Sequence, residues 1–138
     1  SDNVHGEMRF GDSGGFDSGA TDYQYASWGS MSGPSWDDRE YFSQGASAIR
    51  ITESAAGRFG NSTGEAFGCV LWLPRPADGT SYPTISGIAG YTGHGGGSGF
   101  VILSGARKSA IALDRIQIFA SSGNIASGRL TVWGVSHA

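Results

Sequence analysis

The sequence predicts an all-β protein, an antiparallel β-sandwich of about eight short strands that we expect to form a jelly roll. Apolar side chains recur at every second position in short runs, which is the pattern of half-buried strands. Glycine accounts for 24 of the 138 residues and charged residues for only 15%. Glycine costs about 1 kcal/mol relative to alanine in a helix, so this composition disfavours helices. Because no repeat or boundary is visible, we expect a single domain over residues 1–138.

Three strands are predicted in the N-terminal part of the chain. Residues 4–10 alternate between apolar and polar side chains, and residues 22–28 place two tyrosines on one face and Trp28 on the other. Residues 46–52 form the third predicted strand, which carries Ile49 and Ile51. Between the last two strands, Ser35 can cap a short helical turn that has acidic residues in its first positions.

The middle of the chain predicts the most buried strand. Residues 66–73 are apolar on both faces, which is typical of a central strand covered on each side. Pro74 ends this strand, because proline cannot donate to a ladder of hydrogen bonds. Two further strands are predicted over residues 84–92 and 100–103, with a glycine-rich loop between them.

The C-terminal stretch from residue 112 to 135 predicts the β-hairpin on which the rest of the sandwich is built. Ile116 and Ile118 share one face of its first strand, and Leu130 and Val132 share one face of its second. We expect all four side chains to lie in the core. The long connection between the strands contains glycine and asparagine, which adopt the positive φ that a reversal needs.

Composition argues against several classes of protein. The net charge is −3, with one lysine and no basic stripe, so we expect no nucleic-acid partner. No apolar run approaches the roughly 18 residues of a membrane span, and no signal peptide is visible, so we expect no membrane insertion. Cys69 is the single cysteine, and its apolar surroundings predict a small buried residue rather than a nucleophile.

The motif GDSGG at residues 11–15 matches the nucleophile motif of trypsin-like serine proteases. In that fold the catalytic histidine and aspartate precede the serine by most of two β-barrels. Only twelve residues precede Ser13, and His5 is the one histidine among them. We therefore interpret the motif as a hairpin loop and predict no catalytic residue.

Carboxylates offer two alternatives that we consider weaker. Asp12, Asp17 and Asp22 could surround a calcium ion, although their spacing of five differs from the EF-hand loop. The acids between residues 37 and 40 could form a pair for glycoside cleavage, but acids at the start of a helical turn commonly serve as caps. The three histidines lack zinc-like spacing. We predict no cofactor and no metal.

Aromatic residues are more numerous than one small core requires. Four tryptophans and five tyrosines are present, and aromatic rings beside acidic side chains are what sugar recognition uses. The candidate ligand-binding residues lie beside loops or opposite the main apolar rows: Trp28, Trp36, Tyr41, Tyr82 and Tyr91. We expect these rings to contact a glycan or another subunit, the alternative being that they pack in the core.

Two segments carry a resemblance to a known group of proteins. The segment FASSGNIASGRLTVWG, residues 119–134, resembles the closing motif of tailed-bacteriophage virion structural proteins that end in SSGNIASG, an alternating apolar strand, and Tyr or Trp followed by Gly. The segment MRFGDSGGFDSGATDYQYAS, residues 8–27, is similar to a second motif of that group. The middle of the chain matches only in the rhythm of its strands. Members of the group carry more chain before the Met-Arg-Phe strand, so we expect either a shorter relative or a missing N-terminal strand or anchor.

The resemblance implies a non-enzymatic module displayed on a virion that is assembled in the bacterial cytoplasm. We expect it to belong to a tail or head fibre, to form a homotrimer with other virion proteins as partners, and to act in host attachment by touching surface polysaccharide. The alternative is a capsid decoration (cement) protein or another structural tail protein that binds only virion proteins. A polysaccharide depolymerase is the third alternative, but no nucleophile, base and oxyanion donor are arranged for it.

Overall fold

The computed structural model describes residues 4–32, 38–52, 59–60, 62–93, 96–125 and 127–135. These residues form nine β-strands in two antiparallel sheets and contain no helix. The predicted β-sandwich is therefore confirmed, with nine strands where about eight were predicted.

The strands are β1 (Gly6–Asp12), β2 (Gly15–Phe16), β3 (Tyr23–Met31), β4 (Arg39–Ala46), β5 (Ile49–Arg50), β6 (Ala66–Trp72), β7 (Thr84–Thr92), β8 (Ser98–Arg107) and β9 (Arg115–Ala120). The larger sheet has the order β4-β3-β8-β7-β6. The smaller sheet is built on β1, which pairs with β9 along one side and with β5 and β2 along the other. Each sheet therefore combines chain neighbours, such as β3 with β4 and β1 with β2, with distant segments, such as β3 with β8 and β1 with β9.

The core lies between the two sheets and takes side chains from both. Every second residue of β1, β3 and β8 points inward, as the predicted alternation requires. The buried cluster contains Met8, Phe10, Tyr23, Tyr25, Ile49, Ile51, Ile85, Tyr91, Val101, Leu103 and Leu113.

Tyr23 provides a polar link between the sheets. Its ring is fully buried in β3, and its hydroxyl accepts a hydrogen bond from the Phe10 backbone N–H at 2.9 Å. The same hydroxyl lies 3.2 Å from the carbonyl oxygen of Phe10 and 3.0 Å from that of Asp17. The Asp17 carboxylate in turn pairs with Arg107 at 2.6 Å. A single side chain thus joins β3 to β1 and to the loop that follows β2.

The strand β6 lies at the edge of the larger sheet, so the prediction of a central strand was wrong. Its inward side chains Phe67 and Leu71 pack against the core. On the other face, Val70 is 55% exposed and Trp72 is 64% exposed. The apolar pattern on both faces predicts burial of both, but within one chain only the inward face of β6 packs against the core.

The predicted C-terminal hairpin is also wrong for the described chain. The strand β9 pairs with β1, and residues 127–135 belong to no strand. Ile116 and Ile118 pack against the core, as predicted. Leu130 and Val132, by contrast, are 62% and 75% exposed, because no second sheet lies against their segment.

Two strands were not predicted. The strand β2 lies within the segment interpreted as a loop and pairs with the end of β1. The strand β4 pairs along β3 and begins at Arg39, where the helical turn was expected. Most of that predicted turn lies outside the described residues.

Candidate functional site

The GDSGG motif forms the turn between β1 and β2. The Asp12 carboxylate accepts a hydrogen bond from the Gly14 N–H at 2.8 Å, which orders a tight reversal. Ser13 is exposed at its tip. His5 precedes the opposite end of β1, roughly 25 Å away along an extended chain. The structure therefore does not bring His5 to Ser13 as a base.

The three acids considered for calcium have separate partners. Asp12 belongs to the β1–β2 turn, Asp17 pairs with Arg107 at 2.6 Å, and Asp22 accepts a hydrogen bond from the Gly19 N–H at 2.6 Å. Within the part of the chain that the structure describes, no three His, Cys, Asp or Glu side chains are grouped so that they could hold a metal ion.

Cys69 lies on the inward face of β6 and is half-buried. Burial raises the pKa of its thiol. The thiolate is the nucleophilic form of cysteine, so this environment favours the unreactive protonated form.

The five candidate aromatic residues do not form one platform. Trp28 and Tyr82 are exposed, whereas Tyr41 is half-buried and stacks on a core tyrosine of β3 at 6.0 Å. Tyr91 is 5% exposed and belongs to the core, so its ring offers no face to a sugar. Trp36 lies outside the described residues.

The two exposed candidates also lie far apart. Trp28 stands opposite Ile102 of β8. Tyr82 precedes the start of β7, whose first residue, Thr84, stands opposite Ala106. Four residues along β8 correspond to about 13 Å. One small sugar therefore cannot stack on both rings.

The structure instead assembles an apolar surface on the outer face of the larger sheet. Its centre is a row in register across four adjacent strands: Trp28 of β3, Ile102 of β8, Ile88 of β7 and Val70 of β6. Their exposed fractions are 43%, 51%, 57% and 55%, respectively. We call this row and its exposed apolar neighbours the outer band, which comprises Trp28, Phe42, Val70, Trp72, Ile88, Phe100 and Ile102.

Aromatic residues stand on both sides of the row. The Phe100 ring contacts Trp28 edge-on, with 5.4 Å between the ring centroids. On the other side, Phe42 and Trp72 stand at the two ends of the next row of side chains. Small residues separate these two rings: Ala26, Ser104 and Ser86. The outer band is therefore broad and shallow rather than a cleft.

The centre of the outer band is almost free of charge. Along the row, Glu40 of β4 stands opposite Trp28 and is the only charged residue. Charged residues are depleted, and aromatic residues enriched, at the centres of protein interfaces. This composition is suited to burial against another protein rather than to binding an ionic ligand.

The outer band was missed because β6 was predicted to be covered on both faces and no exposed face was assigned to the strands over residues 84–92 and 100–103. Ile88 and Ile102 lie out of phase with the core residues of their strands. The signal was available in the two-sided apolar pattern of β6, which β8 shares through Phe100 and Ile102. Which of two apolar faces meets the other sheet is decided by tertiary packing.

Comparison with models of protein families, with curated proteins and with solved structures found no match for this chain. None of the described residues forms a helix with the length and apolar character needed to cross a membrane.

Proposed function

We propose that the protein is a non-enzymatic structural module of a tailed-bacteriophage virion, bound to another virion protein through the outer band. The observation that carries this proposal is the in-register row of Trp28, Ile102, Ile88 and Val70 on a solvent-facing sheet. Adjacent strands lie about 4.8 Å apart, so the row alone extends over roughly 14 Å. The resemblance described above supports the virion as the place of that interface.

The chemistry of the outer band supports a protein partner. Contiguous exposed apolar patches on soluble proteins commonly mark interaction sites. Trp28 has the chemistry of an interface anchor, since tryptophan is enriched among the residues that dominate the binding energy of protein interfaces. The sequence of the edge strand β6 is apolar on both faces. Binding of a partner to the outer band would bury the face of β6 that is now exposed.

Between the two virion roles considered from the sequence, the outer band favours the structural role over host attachment. A decoration protein or a structural tail protein needs a broad face that another virion protein covers. A fibre module acting in host attachment is the second candidate, and it needs an exposed site for a host glycan.

One turn favours that second candidate. The Asp78 carboxylate accepts hydrogen bonds from Thr80 and Ser81. These bonds lower the pKa of the Asp78 carboxyl, and those from Thr80 contribute most. The ordered turn leads directly into Tyr82, whose ring is exposed. An exposed tyrosine ring beside hydroxyl and carboxylate groups is suited to stacking on a sugar.

The proposal predicts that Ile88→Glu removes the protein from the particle. A carboxylate at the centre of the outer band would have to be desolvated on binding, which is costly without a partner charge. Virions from bacteria that supply the variant in place of the original chain should contain at least tenfold less of it by quantitative mass spectrometry, a ratio that corresponds to about 1.4 kcal/mol.

Thr84→Glu is the matched control, since this exposed residue lies on the same face of β7 but outside the outer band. It should be incorporated normally, and both variants should fold with unchanged circular dichroism. Normal incorporation of folded Ile88→Glu would contradict the proposal. Host attachment would gain support if Tyr82→Ala abolished binding of the purified protein to host cells while leaving incorporation unchanged.

A further inference from the structure

The C-terminal segment 127–135 is a strand-like sequence with no layer against it. All nine of its residues are exposed, including Trp133 at 85% and Val135 at 71%. A side chain added at Gly134 would meet no atom within 4 Å. Because apolar surface is unfavourable in water, a segment of this composition is expected to find a partner surface.

A free strand edge exists in the smaller sheet. Among the described residues, β9 pairs only with β1. The Ser121 N–H donates to the His5 carbonyl, and in an antiparallel ladder the direction of the backbone groups alternates along the strand. The N–H and C=O groups of Ile116 and Ile118 therefore point to the open side of β9. An open edge of this kind is a template for another strand.

The segment and the edge match in length and in side-chain pattern. The seven residues from 129 to 135 are long enough to pair along the six of β9. Ile116 and Ile118 face the core but remain half-buried at the edge. An antiparallel strand that placed Leu130 opposite Ile118 would place Val132 opposite Ile116, so two apolar side chains would extend the core layer.

The opposite face of the same register is also complementary. Thr131 would stand opposite Gln117, a polar pair suited to a solvent-facing surface. Arg129 would stand opposite Phe119, and Trp133 opposite Arg115, which brings a guanidinium beside an aromatic ring at both positions. Both faces of the segment thus have partners on β9.

We infer that residues 129–135 of one copy pair with the free edge of β9 in a second copy of this chain, forming a strand-exchanged homo-oligomer. The segment is exposed in its own chain and leaves its own β9 open. In two copies, the segment of each chain can therefore pair with β9 of the other, and both contacts are the same. Reciprocal exchange produces a dimer, and cyclic exchange produces the homotrimer expected from the sequence. The inference uses residues separate from the outer band and does not depend on the proposed function.

A mixed-disulfide experiment on the full chain tests the exchange. Two differently tagged chains, both carrying Cys69→Ala, are co-expressed, one with Gln117→Cys and the other with Thr131→Cys. In the proposed register these positions form a non-hydrogen-bonded pair, in which opposed Cβ atoms approach closely enough for a disulfide. Mild oxidation should produce one band on a non-reducing gel that carries both tags. Thr84→Cys in place of Thr131→Cys is the control for random collision and should give at least tenfold less product.

Two results would overturn the inference. The first is the absence of the mixed disulfide in folded protein. The second is an intrachain disulfide in a monomer when one chain carries both cysteines, which would place the hairpin within a single chain.

Light scattering gives an independent reading: the full chain should have a multiple of the monomer mass, and a chain ending at Gly128 should have the monomer mass. If that shortened chain does not fold, the mixed disulfide decides alone. Neither readout involves the outer band, so failure of the proposed function leaves this test intact.

Discussion

Replacing Tyr23 with phenylalanine is expected to lower the free energy of unfolding by about 1–3 kcal/mol, although the change removes only one oxygen atom. The hydroxyl accepts the Phe10 N–H and lies beside the carbonyl oxygens of Phe10 and Asp17. Without it, the Phe10 N–H is left without that partner in a site closed to water. Tyr23→Ala should cost more, about 3–5 kcal/mol, because it also empties the space of a fully buried ring.

Urea denaturation followed by tryptophan fluorescence measures both losses. Tyr82→Phe is the matched control, since its side chain is exposed and the change should alter the free energy of unfolding by less than about 0.5 kcal/mol. If Tyr23→Phe were as stable as the original protein, the hydroxyl would not be the link between the sheets.

The protein is also expected to lose stability in strongly alkaline solution. Burial raises the pKa of Tyr23 from 10.0 to about 12, and burial raises that of Tyr25 by the same amount. A raised pKa means that the folded state favours the neutral phenol. The stabilisation is therefore complete below the unfolded pKa of 10.0 and is lost as the pH rises towards 12. At about 1.4 kcal/mol per pKa unit, ionisation of each tyrosine removes on the order of 3 kcal/mol once the pH exceeds its folded pKa.

Denaturation midpoints measured from about pH 8 to pH 11.5 test this dependence. The original protein should hold a constant midpoint up to about pH 10 and then fall steeply. The double variant Tyr23→Phe, Tyr25→Phe should begin from a lower midpoint and fall less steeply, because it lacks the two phenols whose pKa values are raised. An equally steep fall in the double variant would assign the alkaline loss to other groups.

The faces of several strands could be predicted from the sequence, but not the neighbours of those strands. Alternation over residues 4–10 places Met8 and Phe10 on one face, and both belong to the core; it also placed Trp28 on the opposite face of β3 from its tyrosines. Alternation does not encode which strands pair. The partner of β9 was predicted to be the C-terminal segment and is instead β1, more than a hundred residues earlier in the chain.

The outer band was only partly predictable for a related reason. Trp28 was selected as a candidate ligand-binding residue, whereas the strands that carry Ile88 and Ile102 were predicted without an assignment of their faces. Their exposure depends on which face of the sheet meets β1 and β9. That choice depends on the whole sandwich and is not a property of either strand alone.

The two exposed apolar features are consistent with one kind of protein. In the proposed function the outer band binds a different protein of the virion, and in the inferred exchange the C-terminal segment binds a second copy of the chain. A module with both surfaces would assemble with itself through its smaller sheet and dock through its larger one. Such a division fits a repeated structural part of a particle.

A cryo-electron map of virions encoded by the same genome as this chain tests the proposed function most directly. We predict that the outer band around Trp28 and Ile88 is covered by another virion protein, with the Glu40 end of the row nearest the rim of the interface. Many copies following the capsid lattice would indicate decoration, and a few copies on the tail or on fibres would indicate a tail or fibre part. A map in which the outer band faces solvent in every copy, or in which the chain is absent from the particle, would contradict the proposal.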